Sequence, residues 1–369
     1  MKCAAIISEY NPFHKGHKYQ IDLLRSGGFD IIIAVMSGSA VQRGELALVD
    51  KYTRAEAAVY CGADIVVELP APFSCTSGEY FAKAGVIAAD ALSADYLSFG
   101  SECGDLAMLS RHAEKRRIAP ASVGAARAEL SGTDFSSNDM LAIEYLRALY
   151  AIGSDMIPIT HKRQGGAYNS ESTEELFPSA TAIRSAIYEG RTKEALECLP
   201  DGSRDVIARG LSELRPQMIS DEAYSAILLN TLRMTDEAVL SSYAFMNGGL
   251  ASRMKKASYL ATSAEELYAL AATKVYTNSR IRRAALCTVC MIPDSIRKAS
   301  VEYISLLAAN ERGREYLSAG KTKLPVLTTV REKKAFELFE YEKRLDILFD
   351  TVKCGGNGKK IYTSPPVML

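Results

Sequence analysis

Short apolar runs alternate with amphipathic segments through the first 160 residues of the chain. The runs are rich in Ile and Val, which is typical of buried parallel strands. They lie at 3–8, 30–36, 64–69 and 95–99, with a fifth at about 155–161. Helical patterns lie between them, at about 16–27, 50–62 and 77–92. This alternation predicts an α/β fold in which a doubly wound, Rossmann-like parallel sheet carries helices on both faces.

The pattern changes after about residue 200. Strand-like runs become sparse there, and residues 205–350 predict successive amphipathic helices. A chain of 369 residues ordinarily folds as two domains. We therefore expect a first domain over residues 1–200 and a mainly α-helical second domain over residues 201–369.

The first predicted strand ends in the most unusual segment of the chain, Ile6–Tyr19. Two of only four histidines, His14 and His17, flank Gly16 where the next helix is predicted to begin. Free backbone N–H groups and the positive end of the helix dipole make such a point an anion site. Imidazoles there can donate hydrogen bonds to phosphate oxygens. The segment therefore predicts that the chain binds a nucleoside triphosphate and that both histidines act on its phosphates.

Further candidates follow the other strands, because ligands of such sheets bind beyond the carboxyl ends of the strands. Arg43 could fix a carboxylate or a phosphate, and Gly100 would let a nucleoside approach the backbone closely. The helix start Ser179–Arg184 combines hydroxyl groups with an arginine that could close over phosphates. Lys51 and Arg54 are candidates for contact with a substrate or RNA.

Composition adds a charge asymmetry and a redox expectation. The chain has no net charge, but residues 251–300 hold nine basic and three acidic residues. This excess predicts a nucleic-acid surface that includes Arg280 and Arg283, with a solvated helix face as the alternative. The eight cysteines are scattered, and Cys287 and Cys290 lie in an apolar helical pattern. We expect reduced, buried thiols, no membrane span and a cytoplasmic location.

With these pieces assembled, the chain resembles the HIGH-type nucleotidyltransferase superfamily through His14–His17 and Ser179–Arg184. It is most similar to the bacterial tRNA(Met) cytidine acetate ligase family within it. The matching segments are Glu9–His14, Val35–Gly38, Val41–Gly44, Lys51–Glu56, Gly62–Asp64 with Glu68–Pro70, and Phe99–Glu102. The similarity covers most of residues 3–185 and continues more weakly around 277–283. Ser39-Ala40 stands where the family usually has Asn-Phe, and Asn169 where it often has His.

The resemblance implies a function. That family makes N4-acetylcytidine at the wobble position of elongator tRNA(Met) from acetate and ATP, and Mg²⁺ is expected with the ATP. Residues 1–200 would be the ATP-binding catalytic domain and residues 201–369 a basic, tRNA-binding domain. His14 and His17 would be catalytic. The residues implied in ATP binding are Ile6, Ile7, Ser8, Glu9, Tyr10, Asn11, Pro12, Phe13, His14, Lys15, Gly16, His17, Lys18, Tyr19, Gly100, Asn138, Arg163 and Arg184.

Two other functions remain open from the residues themselves. A small-molecule adenylyltransferase of the same superfamily would use the same phosphate machinery, but it would not need a basic helical half. A catalytically silent RNA-binding protein would not need both histidines and the Arg184 segment. The partners expected from the preferred reading are elongator tRNA(Met) and acetate, with neither a membrane nor DNA among them.

Overall fold

A central sheet with helices on both faces organises the protein, seen here in a computed structural model that describes residues 1–118, 135–163, 179–214, 222–356 and 358–369. The strands are β1 (Cys3–Ser8), β2 (Ile31–Ser37), β3 (Ala40–Val41), β4 (Glu45–Leu46), β5 (Ile65–Leu69), β6 (Tyr96–Ser101), β7 (Ile157–Lys162), β8 (Ile304–Ala309), β9 (Val326–Leu327) and β10 (Val367–Met368). The five strands predicted in the first 160 residues are confirmed as β1, β2, β5, β6 and β7.

These five strands form the parallel part of the sheet, in the order β5-β2-β1-β6-β7. The chain builds outward from β1 through β2 to β5, and then returns to the other side of β1 with β6. The carboxyl ends of β1 and β6 therefore diverge at the point where the strand order reverses. Open α/β sheets bind their ligands at such a point.

The three predicted helices of this part are confirmed as α1 (Lys15–Ser26), α2 (Lys51–Tyr60) and α3 (Gly78–Ala91). Asp50 caps α2, since its carboxylate accepts hydrogen bonds from the backbone N–H groups of Tyr52 and Thr53. The other helices are Leu106–Ile118, Ser137–Ile152, Ala180–Tyr188, Thr192–Glu197, Asp201–Ser212, Glu222–Met234, Glu237–Ser242, Leu250–Ser258, Ala264–Ala271, Asn278–Val289, Glu311–Ser318, Val330–Lys333, Leu338–Phe349 and Lys360–Thr363.

Alternate residues of β1 face the two sides of the sheet. Ile6 joins an apolar cluster with Phe13 of the loop before α1. Ile7 joins a second cluster with Phe81 of α3. Both faces of the strand are therefore buried, which explains its continuous apolar sequence.

The second half of the chain is not wholly helical. Ile304–Ala309 forms β8, which pairs antiparallel with β5 and is buried along its whole length. The helical prediction for 205–350 is wrong here, because a six-residue apolar run has no period that separates a strand from a buried helix. β8 covers the edge of the parallel strands, and β9 and β10 pair with it. The division at residue 200 stays a prediction, and the sheet takes strands from both sides of it.

Candidate active site

A cleft opens at the carboxyl ends of β1 and β6, where the fold predicts a ligand. It collects these predicted residues from distant parts of the chain: Ile7, Ser8, Glu9, Tyr10, Asn11, His14, His17, Gly100, Asn138, Arg163 and Arg184. It is also lined by Gln20, Gln42, Arg43, Phe81, Phe99, Leu141, Tyr145, Ser179, Ala180 and Thr181. The Ile6–Tyr19 segment and the Ser179–Arg184 helix start therefore meet in space, as the sequence predicts.

The two histidines form a capping box at the start of α1. His14 is the N-cap residue, and its Nδ1 accepts a hydrogen bond from the backbone N–H of Gly16 at 3.0 Å. The Nδ1 of His17 accepts from the backbone N–H of His14 at 3.2 Å. Each neutral ring therefore carries its proton on Nε2. The stacked rings, 3.8 Å apart at their centres, present two N–H donors to the cleft.

Both imidazoles are neutral at ordinary pH. Burial, together with the positive charges of Arg163 and Arg184, lowers the pKa of His14 to about 3. The pKa of His17 is also well below its usual value, through burial and then through His14 and Arg163. A neutral ring with a fixed tautomer donates a hydrogen bond and does not change its charge near neutral pH. The pair is therefore suited to holding phosphate oxygens rather than to general-base work.

Arg184 supplies positive charge beside the loop that carries the histidines. Ser179 caps its helix, and the Ser179 hydroxyl oxygen accepts from the backbone N–H of Ala182 at 3.1 Å. Arg184 is 8% exposed and donates from its Nη1 to the backbone carbonyl of Asn11 at 2.8 Å. Its Nη2 lies 3.4 Å from the hydroxyl of Thr181. Within the described residues its hydrogen bonds thus go to uncharged oxygens, so its charge remains available to an anion in the cleft.

A second group of predicted residues lies at the ends of β6 and β7. A Cβ atom on Gly100 would lie 3.0 Å from Cγ of Arg163 and 3.1 Å from Nε2 of His161. Glycine therefore keeps this edge of the cleft open. Asn138 donates to the carboxylate of Glu102 at 2.6 Å, and Nε of Arg163 lies 3.8 Å from the same carboxylate. Glu102 thus aligns an amide and a guanidinium beside the glycine.

The prediction that Arg54 contacts a substrate or RNA is wrong. Its side chain is fully buried, and it donates to the backbone carbonyls of Glu9, Ser37, Gly38 and Val49. Burial lowers the pKa of Arg54 to about 10. The guanidinium ties together the loops that leave β1 and β2, and it therefore supports the cleft from behind.

The same prediction is wrong for Lys51, which belongs to a buried ionic cluster with Glu68, Lys333, Glu342 and Asp346. Nζ of Lys51 lies 2.7 Å from Glu68, 2.7 Å from Asp346 and 3.2 Å from Glu342. Lys333 lies 2.8 Å from Glu342. Burial alone would lower the pKa of Lys51, but the three carboxylates raise it well above its usual value. The cluster joins the helix Leu338–Phe349 to the end of β5.

Some residues of the predicted ATP site do not line the cleft, so their contact with ATP stays a prediction, and other residues that line it were not predicted. The predicted residues that do not line the cleft are Ile6, Pro12, Phe13, Lys15, Gly16, Lys18 and Tyr19. Gln20, Phe81, Leu141 and Tyr145 do line it, although they sit inside helices where their pattern indicates only core packing. Asn169 lies outside the described residues.

The arginines of the basic segment contact other parts of the protein. Arg280 donates to the side chain of Asn247 at 2.8 Å, and Arg282 pairs with Glu45 at 3.0 Å and with Glu265 at 2.9 Å. Gly44 of the β3–β4 hairpin packs so closely that a Cβ there would lie 2.4 Å from the backbone N of Arg283. These contacts hold the helix Asn278–Val289 against the hairpin, and an RNA contact by these arginines stays a prediction.

Cys287 and Cys290 are buried in the core, as their apolar surroundings predict. Within the described ranges, no helix has the length and apolar character to cross a membrane. The same ranges contain no group of three or more histidine, cysteine or acidic side chains that could hold a metal ion.

The fold and the histidine cleft define a HIGH-type nucleotidyltransferase, and a model of the HIGH Nucleotidyl Transferase family matches residues 1–360. The tRNA(Met) cytidine acetate ligase of Thermoanaerobacter sp. strain X514 is 36% identical over 364 residues, which cover 90% of each chain. That of Listeria monocytogenes serovar 1/2a is 33% identical over 383 residues, covering 96% of this chain and 95% of the relative. The chain belongs to the tRNA(Met) cytidine acetate ligase family.

Solved structures agree with this assignment over the whole length of the chain. The crystal structure of apo Thermotoga maritima TmcAL matches with a TM-score of 0.89 at 28% identity, with all of both chains covered. The structure of the same protein bound with alpha-thio ATP matches with a TM-score of 0.86 at 27% identity, again over both whole chains. A protein of this fold therefore binds an ATP analogue.

Proposed function

We propose that this protein is an ATP-dependent ligase that activates acetate as acetyl-adenylate and transfers the acetyl group to N4 of the wobble cytidine of elongator tRNA(Met). The observation that carries the proposal is the pair of neutral histidines with Nε2–H donors in the cleft. The names of its relatives and the ATP analogue bound by a solved neighbour support it. Such a protein would work in the cytoplasm, with neither a membrane nor DNA as a partner.

Acetate needs activation, because oxide is too poor a leaving group for attack by an amine. A carboxylate oxygen of acetate attacks the α-phosphorus of ATP, the bond to the bridging oxygen breaks, and pyrophosphate leaves. The cytidine N4 then attacks the carbonyl carbon of acetyl-adenylate, AMP leaves, and N4 loses a proton. The first step depends on in-line positioning and on neutralising phosphate charge.

The cleft offers groups for each part of ATP. His14 and His17, at the start of α1, would donate to phosphate oxygens, and Arg184 would neutralise their charge. Gly100 would let the nucleoside lie against β6, beside Asn138 and Arg163. Mg²⁺ prefers phosphate oxygens and water, so we propose that it enters bound to ATP.

We assign tRNA binding to the helical region beyond residue 200. Lys256, Lys274 and Lys298 are exposed there, within the segment that carries the excess of basic residues. Contacts from such side chains to phosphates would position the RNA without reading its sequence. An RNA loop permits the wobble base to leave its stack and present N4 to the cleft.

Exchange of labelled pyrophosphate into ATP tests the proposal, with the full chain, acetate and no tRNA. We expect exchange that requires acetate, followed by acetylation of tRNA(Met) but not of a transcript with uridine at the wobble position. Exchange that ignores acetate but requires another small substrate would indicate the small-molecule adenylyltransferase instead. RNA binding without any exchange would indicate a silent RNA-binding protein.

A further inference from the structure

Part of the cleft is apolar and does not suit phosphate. Phe81 of α3, Phe99 of β6, and Leu141 and Tyr145 of the helix Ser137–Ile152 line it together, and we call these four residues the apolar wall. Phe81, Phe99 and Tyr145 are at most 4% exposed, and Leu141 is half-buried. The rings of Phe99 and Tyr145 lie 5.8 Å apart. Apart from the phenol hydroxyl of Tyr145, this surface consists of hydrocarbon, and a charged group would lose hydration against it.

The helix Ser137–Ile152 changes from polar to apolar along the face that it turns to the cleft. Asn138, Leu141 and Tyr145 all line the cleft, and their spacing of three and four residues places them on one helical face. Asn138 at the helix start is held by Glu102 at 2.6 Å, next to the nucleoside side of the cleft. Leu141 and Tyr145 lie one and two turns further on. A ligand along this face therefore meets a polar end first and an apolar end next.

A donor amide borders the apolar wall. Measured from the position that a Cβ of Gly78 would take, Nε2 of Gln42 lies at 3.5 Å and Cδ1 of Leu141 at 3.9 Å. The backbone N–H of Gln42 donates to the carboxylate of Glu9 at 2.9 Å, which fixes the residue at the rim. An amide donor beside methyl and aromatic groups matches a small carboxylate with a short alkyl end.

We propose that the apolar wall is the acyl pocket: it receives the methyl group of acetate, and Leu141 limits the length of the acyl chain. The inference rests on the proposed activation of acetate. His17 packs with Tyr10 and Phe13 on the α1 side of the sheet, whereas the wall belongs to the core on the α3 side. The carboxylate would therefore point to the phosphates and the methyl group away from them. One methylene in such a pocket changes kcat/KM by about 10- to 200-fold.

The test compares acetate, propionate and butyrate in pyrophosphate exchange without tRNA. The wild type should prefer acetate to propionate by tenfold or more, and Leu141→Ala should reduce that preference by about tenfold through added space. Leu141→Met keeps the volume and should keep the preference. Leu149→Ala is the matched control, since Leu149 is 4% exposed on the same helix but does not line the cleft. Circular dichroism establishes that each variant is folded.

Three results would overturn this proposal alone. The first is a Leu141→Ala enzyme with the acid preference of the wild type. The second is a higher KM for ATP with every acid alike, which would mean that the wall stacks a nucleobase. The third is a wild type that uses acetate, propionate and butyrate equally, which removes the acyl pocket but leaves the proposed function standing. A wild type that exchanges with no carboxylate at all overturns both proposals.

Discussion

The cleft and the buried ionic cluster lie at the same edge of one sheet, but their positively charged side chains are paired differently. In the cluster, Lys51 meets three carboxylates within 3.2 Å, and Lys333 meets one of them again at 2.8 Å. In the cleft, Arg184 donates to a backbone carbonyl, and Nε of Arg163 lies 3.8 Å from the nearest carboxylate oxygen. The cluster balances its positive charge within the protein, whereas the cleft keeps donors that a polyanion can use.

This difference distinguishes two roles that a polar or charged side chain near a ligand site can have. A buried ion pair is satisfied by its partner, and removing one member leaves an uncompensated charge. A neutral imidazole that presents Nε2–H to a cleft has spare donor capacity, and removing it takes a contact from the ligand rather than from the fold. Loss of stability should therefore follow substitutions in the cluster, and loss of turnover should follow substitutions in the cleft.

The largest effect should follow replacement of Lys51 by Met. Glu342 and Asp346 would then have only Lys333 to balance them, because Glu68 has a raised pKa of about 8 and is protonated at pH 7. Breaking a buried pair costs about 3–5 kcal/mol of stability. Denaturant unfolding measures the change. Lys18→Met is the matched control, because Lys18 and its partner Asp22 are exposed and such a pair contributes about 0.5 kcal/mol or less. Equal losses in the two variants would show that the cluster contributes no more than a surface pair.

The next effect concerns the cleft. His17→Ala should lower the rate of acetate-dependent pyrophosphate exchange by about 10²-fold or more, because one donor to the phosphates is lost in the transition state. The free energy of unfolding should fall by about 1–3 kcal/mol, since the ring accepts one backbone hydrogen bond and packs against Tyr10, Phe13 and His14.

His112→Ala serves as the control for this substitution, because His112 does not line the cleft. A His17→Ala protein that unfolds, or that exchanges at the wild-type rate, would contradict the assignment of His17 to the phosphates. Wild-type exchange should also show no titration near pH 6.5, because burial holds the pKa of both cleft histidines well below that value.

The cleft was more predictable from the sequence than the cluster. His14, Gly16 and His17 lie within four residues, so a strand end, a helix start and two imidazoles coincide in one local pattern. Arg184 lies in a second capped helix start, where hydroxyl groups and an arginine form a local pattern of their own. Local patterns of this kind predict the folded arrangement, because capping and helix dipoles act within one helical turn.

The cluster could not be predicted, because its members depend on partners far along the chain. From the local sequence, Lys51 at a helix start has the pattern of a solvated or ligand-binding residue. Its partners Glu342 and Asp346 lie almost 300 residues further along the chain, so the local pattern does not show them. The strand β8 poses a similar problem, since its apolar run fits a buried helix equally well until the free edge of β5 is known. Contacts between distant parts of the chain determine both the burial of Lys51 and the formation of β8. The local hydrophobic period of the sequence does not contain this information.

The smallest effect should be a pH dependence that belongs to the cluster and not to the cleft. Burial raises the pKa of Glu68 to about 8, although Lys51 opposes the shift, and Glu342 and Asp346 add to it. The folded state therefore holds a proton that the unfolded chain releases near pH 4.5. Its contribution to stability is fully present below that pH and is lost as the pH rises through about 8.

Glu68→Gln keeps the shape of the protonated side chain and removes the titration. Between pH 7 and pH 8 the wild type should lose about 1 kcal/mol of unfolding free energy relative to this variant, close to the value for one proton per pH unit. The free energies of unfolding of the two proteins are compared at each pH. Both proteins contain the same histidines, so the contributions of the histidines cancel. Glu265→Gln is the control, because the Glu265 side chain is 62% exposed and should not alter the slope. If the difference between wild type and Glu68→Gln stays constant from pH 7 to pH 8, the cluster is fully ionised, and Lys51 and Lys333 alone hold all three carboxylates charged.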